Sequence, residues 1–454
     1  MLVVYIIAYS LSTVFYYLKH NYIASVIMIS LAIFLYLKEI KNTKRIINVR
    51  GLFALGFIGG FGISLLKLSK LANDYSIMTF VVVFTSYFAV YLGTFYRCKN
   101  NDNLEAKEKH YITYENDTKR SDKNKEANLV NRKILTEDII MIALFSFTFI
   151  AFLIEVMILK FVPVFTVDTP HAYSTFHVFM IHYITTFYSF IPCFALCNYF
   201  KNPSRKMNKI WIVLSYVYVI IMAILMVSRS RLILCIVLSI FIIIINKQND
   251  LKNILSNRKN LLLILMLSIL FLGLYVIITI NRAHDIEYLN GIFEMKNENM
   301  PIFITQPYMY IAQNFENLNY MINNIFRFAF GRRVLYPLFT LTLIKKFFPL
   351  VLDAPTYIIK EELSTLTIVY DFYYDFGIVG VFVFCFLIGY IGKILEDRVY
   401  IGIFDDKDYK TKNNYIIILY SLYCYFMIFS FFQTYFSLTD TWVYIIILLL
   451  LSIL

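Results

Sequence analysis

Arginines and carboxylates gather beside the apolar segments in the second half of the chain. Arg229 and Arg231 lie in a very short turn between two apolar runs, and Arg282 follows a third run. Asp375 lies close to the start of a fourth. Guanidinium groups bind phosphate oxygens through paired N–H donors, and a carboxylate can accept the proton of a hydroxyl group. The combination predicts a site for an anionic, phosphate-bearing substrate.

Each of these residues also has a structural interpretation. An arginine in a short turn can extend to lipid headgroups, and an aspartate at a helix start, such as Asp371 or Asp440, can interact with the helix dipole. His177 and His182 can be interfacial anchors, and Glu155 lies near them in the sequence. Such interpretations account for each residue by itself. They do not account well for the grouping of arginines and carboxylates at the same predicted membrane depth, next to the largest loop.

The elements that must position these residues are membrane helices. The chain has 454 residues, of which 59% are hydrophobic and 16% charged, which excludes an ordinary soluble domain. About twelve apolar runs are long enough to cross roughly 30 Å of hydrocarbon. The predicted fold is an all-α integral membrane protein with one large external loop that contains short interfacial helices. The expected segments are spans one to four (1–96), a charged flexible cytoplasmic loop (97–137), spans five to nine (138–280), the external loop (281–369) and spans ten to twelve (370–454).

The formal net charge of +12 indicates orientation and does not indicate nucleic acid. Basic residues concentrate in the loops after predicted spans two, six and eight, and an even number of spans places these loops on one side. The positive-inside rule makes that side the cytoplasm, together with both termini. No nucleic-acid partner is expected.

Metal and nucleotide signatures are absent from the sequence. It contains no Walker-type loop, GxGxxG, CxxC or HExxH motif. Cys193 and Cys197 share a helix face without a histidine nearby, which favours packing over metal binding. We therefore expect no metal and no cofactor.

Three stretches together resemble the Wzy-type oligosaccharide repeat-unit polymerases. Ser228-Arg229-Ser230-Arg231-Leu232-Ile233-Leu234 is similar to a motif that opens a middle span of that family. Tyr310-Ile311-Ala312-Gln313-Asn314-Phe315-Glu316-Asn317-Leu318 is similar to its external-loop segment. Ser364-Thr365-Leu366-Thr367 followed by Tyr374-Asp375-Phe376-Gly377-Ile378-Val379-Gly380 resembles its loop-end signature. The resemblance covers about residues 225–395 by motif.

The resemblance implies a metal-independent glycosyltransferase with the multi-span, GT-C-like fold shared with O-antigen ligases. Such an enzyme would polymerise undecaprenyl-diphosphate-linked oligosaccharides into a surface polysaccharide at the outer face of the bacterial cytoplasmic membrane. Its partners would be these lipid-linked sugars, membrane lipids, a flippase and a chain-length regulator protein. Two alternatives stay open: a ligase-like glycan transferase, and a flippase or other transporter of lipid-linked oligosaccharides.

The resemblance also suggests roles for single residues. Arg229, Arg231 and Arg282 would hold the leaving diphosphate, whose developing charge most needs stabilisation. Asp375 is the first candidate for the base that accepts the acceptor hydroxyl proton, and Glu287 and His284 are alternatives. Three loop residues would contact the substrate: Tyr310, Asn314 and Asn317.

Overall fold

The structure, a computed structural model, describes residues 1–112, 123–166, 175–247, 286–347, 355–404 and 414–453. Within these ranges the chain is helical and contains no strand, which confirms the predicted all-α class. The helices are α1 Leu2–Tyr17, α2 Asn21–Thr43, α3 Val49–Ser64, α4 Ile77–Ile112, α5 Lys123–Leu159, α6 Ile181–Thr186, α7 Ile191–Lys201, α8 Lys206–Leu225, α9 Arg229–Lys247, α10 Ile286–Phe293, α11 Ile302–Asn324, α12 Tyr336–Leu341, α13 Ile344–Phe347, α14 Tyr370–Phe404, α15 Asn414–Ile428 and α16 Thr439–Ile453.

Six of the described helices contain segments long and apolar enough to cross a membrane. Large apolar side chains on their surfaces face outward: Val26 is 62% exposed, Phe147 66% and Val213 63%. Exposing such apolar surfaces to water costs free energy, whereas exposing them to lipid does not. The helices therefore indicate a membrane protein. The six segments are Asn21–Thr43, Ile77–Arg97, Glu137–Leu159, Lys206–Leu225, Arg229–Lys247 and Tyr370–Tyr400.

The other predicted spans are shorter, broken or not described. Helices α1, α3, α15 and α16 are apolar but have fewer than 18 residues, and a crossing needs about 20. The predicted sixth span divides into α6, the 3₁₀ turn Phe187–Phe190 and α7, because Pro192 at the start of α7 has no N–H for a continuous helix. The predicted ninth span, with Arg282 and His284 after it, lies outside the described residues.

The charged segment 97–137 differs from the flexible loop expected there. Helix α4 continues to Ile112, and α5 begins at Lys123. Leucine, alanine, glutamate and lysine in the stretch 104–109 favour helix, so α4 extends beyond its apolar part.

The described chain forms two compact units. Unit one comprises Met1–Arg97, Asp285–Arg398 and Leu422–Ile447. Its α4 and α14 meet at glycines: a Cβ on Gly93 would lie 2.1 Å from the Phe386 carbonyl oxygen, and one on Gly389 would lie 2.3 Å from that of Val90. Small residues of this kind let membrane helices approach closely.

A buried ionic cluster in unit one connects the loop after α2 with α14. Arg45 and Lys393 each contact Glu396 at 2.8 Å, and Arg45 also contacts Asp397 at 3.2 Å. Hydropathy gave no indication of the Arg45 pairs, because Arg45 lies about 350 positions from Glu396 and Asp397 in the sequence.

Unit two comprises Cys98–His284, Val399–Ser421 and Leu448–Leu454. Helix α7 packs against α8 and α9, and it buries Cys193 and Cys197 beside Cys235 of α9. All five cysteines with described side chains are free thiols, in agreement with a packing role.

Candidate functional site

Helix α11 carries the external-loop motif, and its polar side chains are buried. Asn317 is fully buried, and its amide nitrogen donates to the carbonyl oxygens of Leu363 at 2.8 Å and Thr365 at 3.1 Å. Its amide oxygen accepts the Ile359 N–H at 3.1 Å. These bonds all go to backbone, so Asn317 fixes the segment that precedes α14.

The same helix holds the loop between α3 and α4. The Asn319 amide oxygen accepts the Ser76 N–H at 3.0 Å and the Thr79 hydroxyl at 2.7 Å. Glu316 accepts the Asn73 N–H at 3.0 Å. Helix α11 therefore positions two loops through its buried polar side chains.

Tyr310 and Asn314 lie one turn apart on α11. The Asn314 amide nitrogen donates to the Tyr310 carbonyl oxygen at 2.6 Å, and its amide oxygen is buried without a hydrogen-bond partner in the described structure. The Tyr310 ring is partly exposed and packs edge-on against Phe432, with centroids 5.9 Å apart. Of the three predicted loop contacts, Tyr310 is the most accessible.

Glu316 also pairs with Lys67, a residue outside the predicted site. The Lys67 ammonium lies 2.5 Å from a Glu316 carboxylate oxygen and 3.0 Å from the centroid of the Tyr75 ring. Burial lowers the pKa of Lys67 to about 8, although the attraction of Glu316 opposes this. Burial likewise raises the pKa of Glu316 against the attraction of Lys67. Lys67 belongs to no motif, and its partner is distant in the sequence.

The loop before α12 presents two arginines from a tight turn that Asp375 holds. Phe330 and Gly331 adopt positive φ angles of 48° and 92°. Asp375 is fully buried, and its carboxylate accepts the backbone N–H groups of Arg333 at 3.2 Å and Val334 at 2.8 Å. The predicted base thus stabilises the turn through charge-assisted hydrogen bonds.

The two arginines of this turn have different surroundings. The Arg333 Nε donates to Asp371 at 2.5 Å, and the guanidinium lies 5.0 Å from the Tyr374 ring centroid. Burial disfavours its charge, but Asp371 outweighs that effect and raises the pKa of Arg333. Arg332 is exposed and makes no ion pair within the described part of the chain. Arg332 is therefore the arginine available to an anion.

Gly377 interrupts α14 two residues after Asp375. Its φ of 60° and ψ of −149° are not helical, and a Cβ there would lie 2.9 Å from the Phe328 ring. Glycine adopts this conformation without the strain that a side chain would add. In the loop-end motif, Asp375 thus holds the arginine turn and Gly377 ends the first short segment of the helix.

The other predicted site residues are distributed as follows. Arg229 and Arg231 lie at the start of α9 in unit two, where Arg229 is buried and Arg231 partly buried, and both make contacts there. Asp375, Tyr310, Asn314 and Asn317 belong to unit one. Glu287 lies in α10, and its side chain is not described.

Unit two also contains a buried carboxylate next to a histidine pair. Glu155 is fully buried, and one oxygen accepts the Val178 N–H at 3.1 Å and lies 3.0 Å from His182 Nδ1. The other oxygen has no hydrogen-bond partner in the described structure. The His177 ring is 4.9 Å from that of His182. These contacts make the C-terminal end of α5 polar.

Among the described residues, no group of three or more histidine, cysteine or acidic side chains could hold a metal ion. Comparison of the whole chain with protein-family models, with curated proteins and with solved structures gave no match.

Proposed function

We propose that this protein is a membrane glycosyltransferase that joins undecaprenyl-diphosphate-linked oligosaccharide repeat units into a surface polysaccharide. The reaction would take place at the outer face of the bacterial cytoplasmic membrane. The proposal includes twelve spans, a GT-C-like fold and cytoplasmic termini. Two features support it. All three motifs occur in one chain, and charged residues interact in the segment that carries the external-loop motif and the loop-end motif.

One observation carries the proposal: the loop-end motif holds an arginine turn. Asp375 of that motif accepts the backbone N–H groups that follow Arg332, and Asp371 orients Arg333. The turn fixes the backbone beside Arg332, and a guanidinium next to a departing diphosphate stabilises the charge that develops on it. An arginine turn of this kind fits a transferase better than a transporter, because a transporter needs charged groups along a path across the membrane.

In the proposed reaction, a hydroxyl oxygen of the acceptor repeat bonds to the anomeric carbon of the donor glycan. The bond from that carbon to the diphosphate oxygen breaks, and undecaprenyl diphosphate leaves with the electron pair. The hydroxyl proton passes to a base, for which Glu287 and His284 are the candidates, because the carboxylate of Asp375 is occupied by backbone N–H groups. From the resemblance alone, Arg229, Arg231 and Arg282 remain predicted phosphate contacts.

The test is a polymerisation assay with purified protein in nanodiscs and a lipid-linked repeat unit. We expect the wild type to form a ladder of products, and Arg332→Ala to reduce its formation at least tenfold. Arg332→Lys should recover little, since an ammonium cannot reproduce the paired donors of guanidinium. Arg327→Ala is the matched control, because Arg327 is an exposed arginine of the same loop and should leave the ladder intact.

Other outcomes would replace the proposal. Transfer of a finished glycan without elongation would indicate a ligase-like transferase. Movement of the lipid-linked sugar across the membrane without a new glycosidic bond would indicate a flippase. An Arg332→Ala variant with normal ladders would remove the arginine turn from the site.

A further inference from the structure

Unit one contains a second basic site, separate from the arginine turn. A cavity of about 550 Å³ lies where α2 begins and α3 ends. Its volume is in the range of about 300–1,000 Å³ that small-molecule sites occupy. The basic residues Lys19, His20, Lys67 and Lys296 line it, and no acidic side chain is among its lining residues.

The charge balance of this cavity favours an anion. Glu316 pairs with Lys67, but Lys296 is exposed and makes no ion pair among the described residues. Lys19 pairs with Asp74 at 2.7 Å, and both side chains are at least 70% exposed, so the pair is weak and can exchange for a bound anion.

The start of α2 adds to this preference. Its first residues, Asn21, Tyr22 and Ile23, line the cavity, and the first helical hydrogen bond after His20 is donated by Ala24. The N–H groups at a helix start and the helix dipole both stabilise negative charge, and phosphate groups bind at such ends.

An apolar groove runs along the same two helices. Its volume is about 280 Å³, and Ile29, Ala32 and Ile33 of α2 line one side. Glycines of α3 line the other, close to the π-helical turn Ala54–Ile58. No charged side chain lines the groove.

The groove and the cavity adjoin at the end of α3. Ile63 of α3 lines the groove, and Leu66, in the turn that follows the helix, lines the cavity. The Leu66 N–H donates a hydrogen bond to the Ile63 carbonyl oxygen at 3.2 Å. The basic head site therefore borders the apolar track.

We propose that the cavity and the groove together bind a lipid that has a phosphate headgroup and a long isoprenoid-type chain. The cavity holds the phosphate, and the groove holds the beginning of the chain. This inference rests on the proposed function, in which two lipid-linked substrates must be bound at once. The arginine turn serves the diphosphate of one, and this site serves that of the other.

Binding measurements test the head site. The probes are undecaprenyl phosphate, inorganic pyrophosphate and phosphatidylglycerol, each added to detergent-solubilised full-length protein and followed by native mass spectrometry. The double variant Lys19→Glu/Lys296→Glu should weaken undecaprenyl phosphate binding at least tenfold. Lys70→Glu is the control, because Lys70 is an exposed lysine that does not line the cavity, and it should change affinity less than twofold.

A second pair of variants tests the groove. Ile33→Trp fills the groove from an exposed position, so folding should be unaffected. It should weaken binding of undecaprenyl phosphate at least fivefold and leave pyrophosphate binding unchanged. Val26→Trp is the control, because Val26 is also an exposed residue of α2 (62%, against 47% for Ile33) but does not line the groove.

The outcomes separate the two proposals. Equal binding by the wild type and the Lys19→Glu/Lys296→Glu variant would overturn the site, as would equal effects of Ile33→Trp and Val26→Trp. Binding of pyrophosphate alone would reject the lipid assignment, and equal affinity for phosphatidylglycerol would reject the isoprenoid preference. If undecaprenyl phosphate binds as expected but the wild type forms no polymer from repeat units, the proposed function fails while the lipid site stands.

Discussion

At the scale of single residues, burial separates the charged groups that organise unit one from those that can meet a substrate. Asp375 is fully buried and Lys67 is 5% exposed, and each is satisfied by protein contacts. Arg332 is exposed. Residue type alone did not separate buried structural charges from charges that can contact a substrate. An aspartate in a motif and an arginine in a loop both have the chemistry to act on a substrate.

The buried pair of Lys67 and Glu316 gives a prediction about stability. Replacing one partner leaves an uncompensated buried charge, which typically costs about 3–5 kcal/mol. We expect Lys67→Met and Glu316→Gln each to lower the thermal midpoint of the purified protein. The double variant should recover at least half of the loss. If the two single losses simply add in the double variant, the pair is not coupled.

The two single variants should also respond to pH in opposite directions. In Glu316→Gln, Lys67 loses its partner, and its pKa, already lowered to about 8, falls further from the ordinary 10.5. Between the folded and unfolded pKa values the unfolded chain binds the extra proton, so stability rises with pH. In Lys67→Met, the raised pKa of Glu316 makes the folded state hold the proton, so stability falls as pH rises from about 4.5. Thermal midpoints measured across pH check both slopes, and slopes of the same sign would contradict the assignment.

At the scale of elements, hydropathy was sufficient for the long helices but not for the site. An apolar run of about 20 residues predicts a membrane helix directly, as for α2, α8 and α9. The role of α11 was not accessible in this way. Its buried asparagines bind the backbone of loops about 45 positions later and about 240 positions earlier in the sequence. No local pattern encodes such partners.

The arginine turn gives a prediction that separates positioning from base catalysis. Asn at position 375 keeps an oxygen that can accept a backbone N–H, but it cannot accept a proton from a substrate hydroxyl. We therefore expect Asp375→Asn to retain at least a third of the polymerisation rate, with an unchanged pH profile. Asp375→Ala removes both acceptors and should lose more than nine tenths of the rate. Equal loss in the two variants, at matched amounts of folded protein, would restore Asp375 as the base.

At the scale of the whole molecule, chain order and spatial grouping differ. The sequence suggested consecutive blocks of spans, whereas unit one draws on three separate stretches of the chain. Composition explains why the membrane environment was predictable, since it depends on how much apolar surface a helix exposes. Which stretches of the chain pack into one unit depends on contacts such as those of Gly93 and Gly389, which are nearly 300 positions apart.

Orientation follows from the distribution of basic residues and gives the last prediction. The positive-inside rule places the loop between α3 and α4 outside and the linker before α8 in the cytoplasm. The native cysteines with described side chains are buried, so a Cys98→Ser background suits labelling with a membrane-impermeant maleimide. Lys70→Cys should be labelled in intact cells, because the Lys70 side chain is 55% exposed. Ser204→Cys, also exposed, should be labelled only after permeabilisation. The reverse result would place the arginine turn and the basic cavity on the cytoplasmic side, where undecaprenyl-linked sugars are assembled and not polymerised, and the proposed reaction would have to be abandoned.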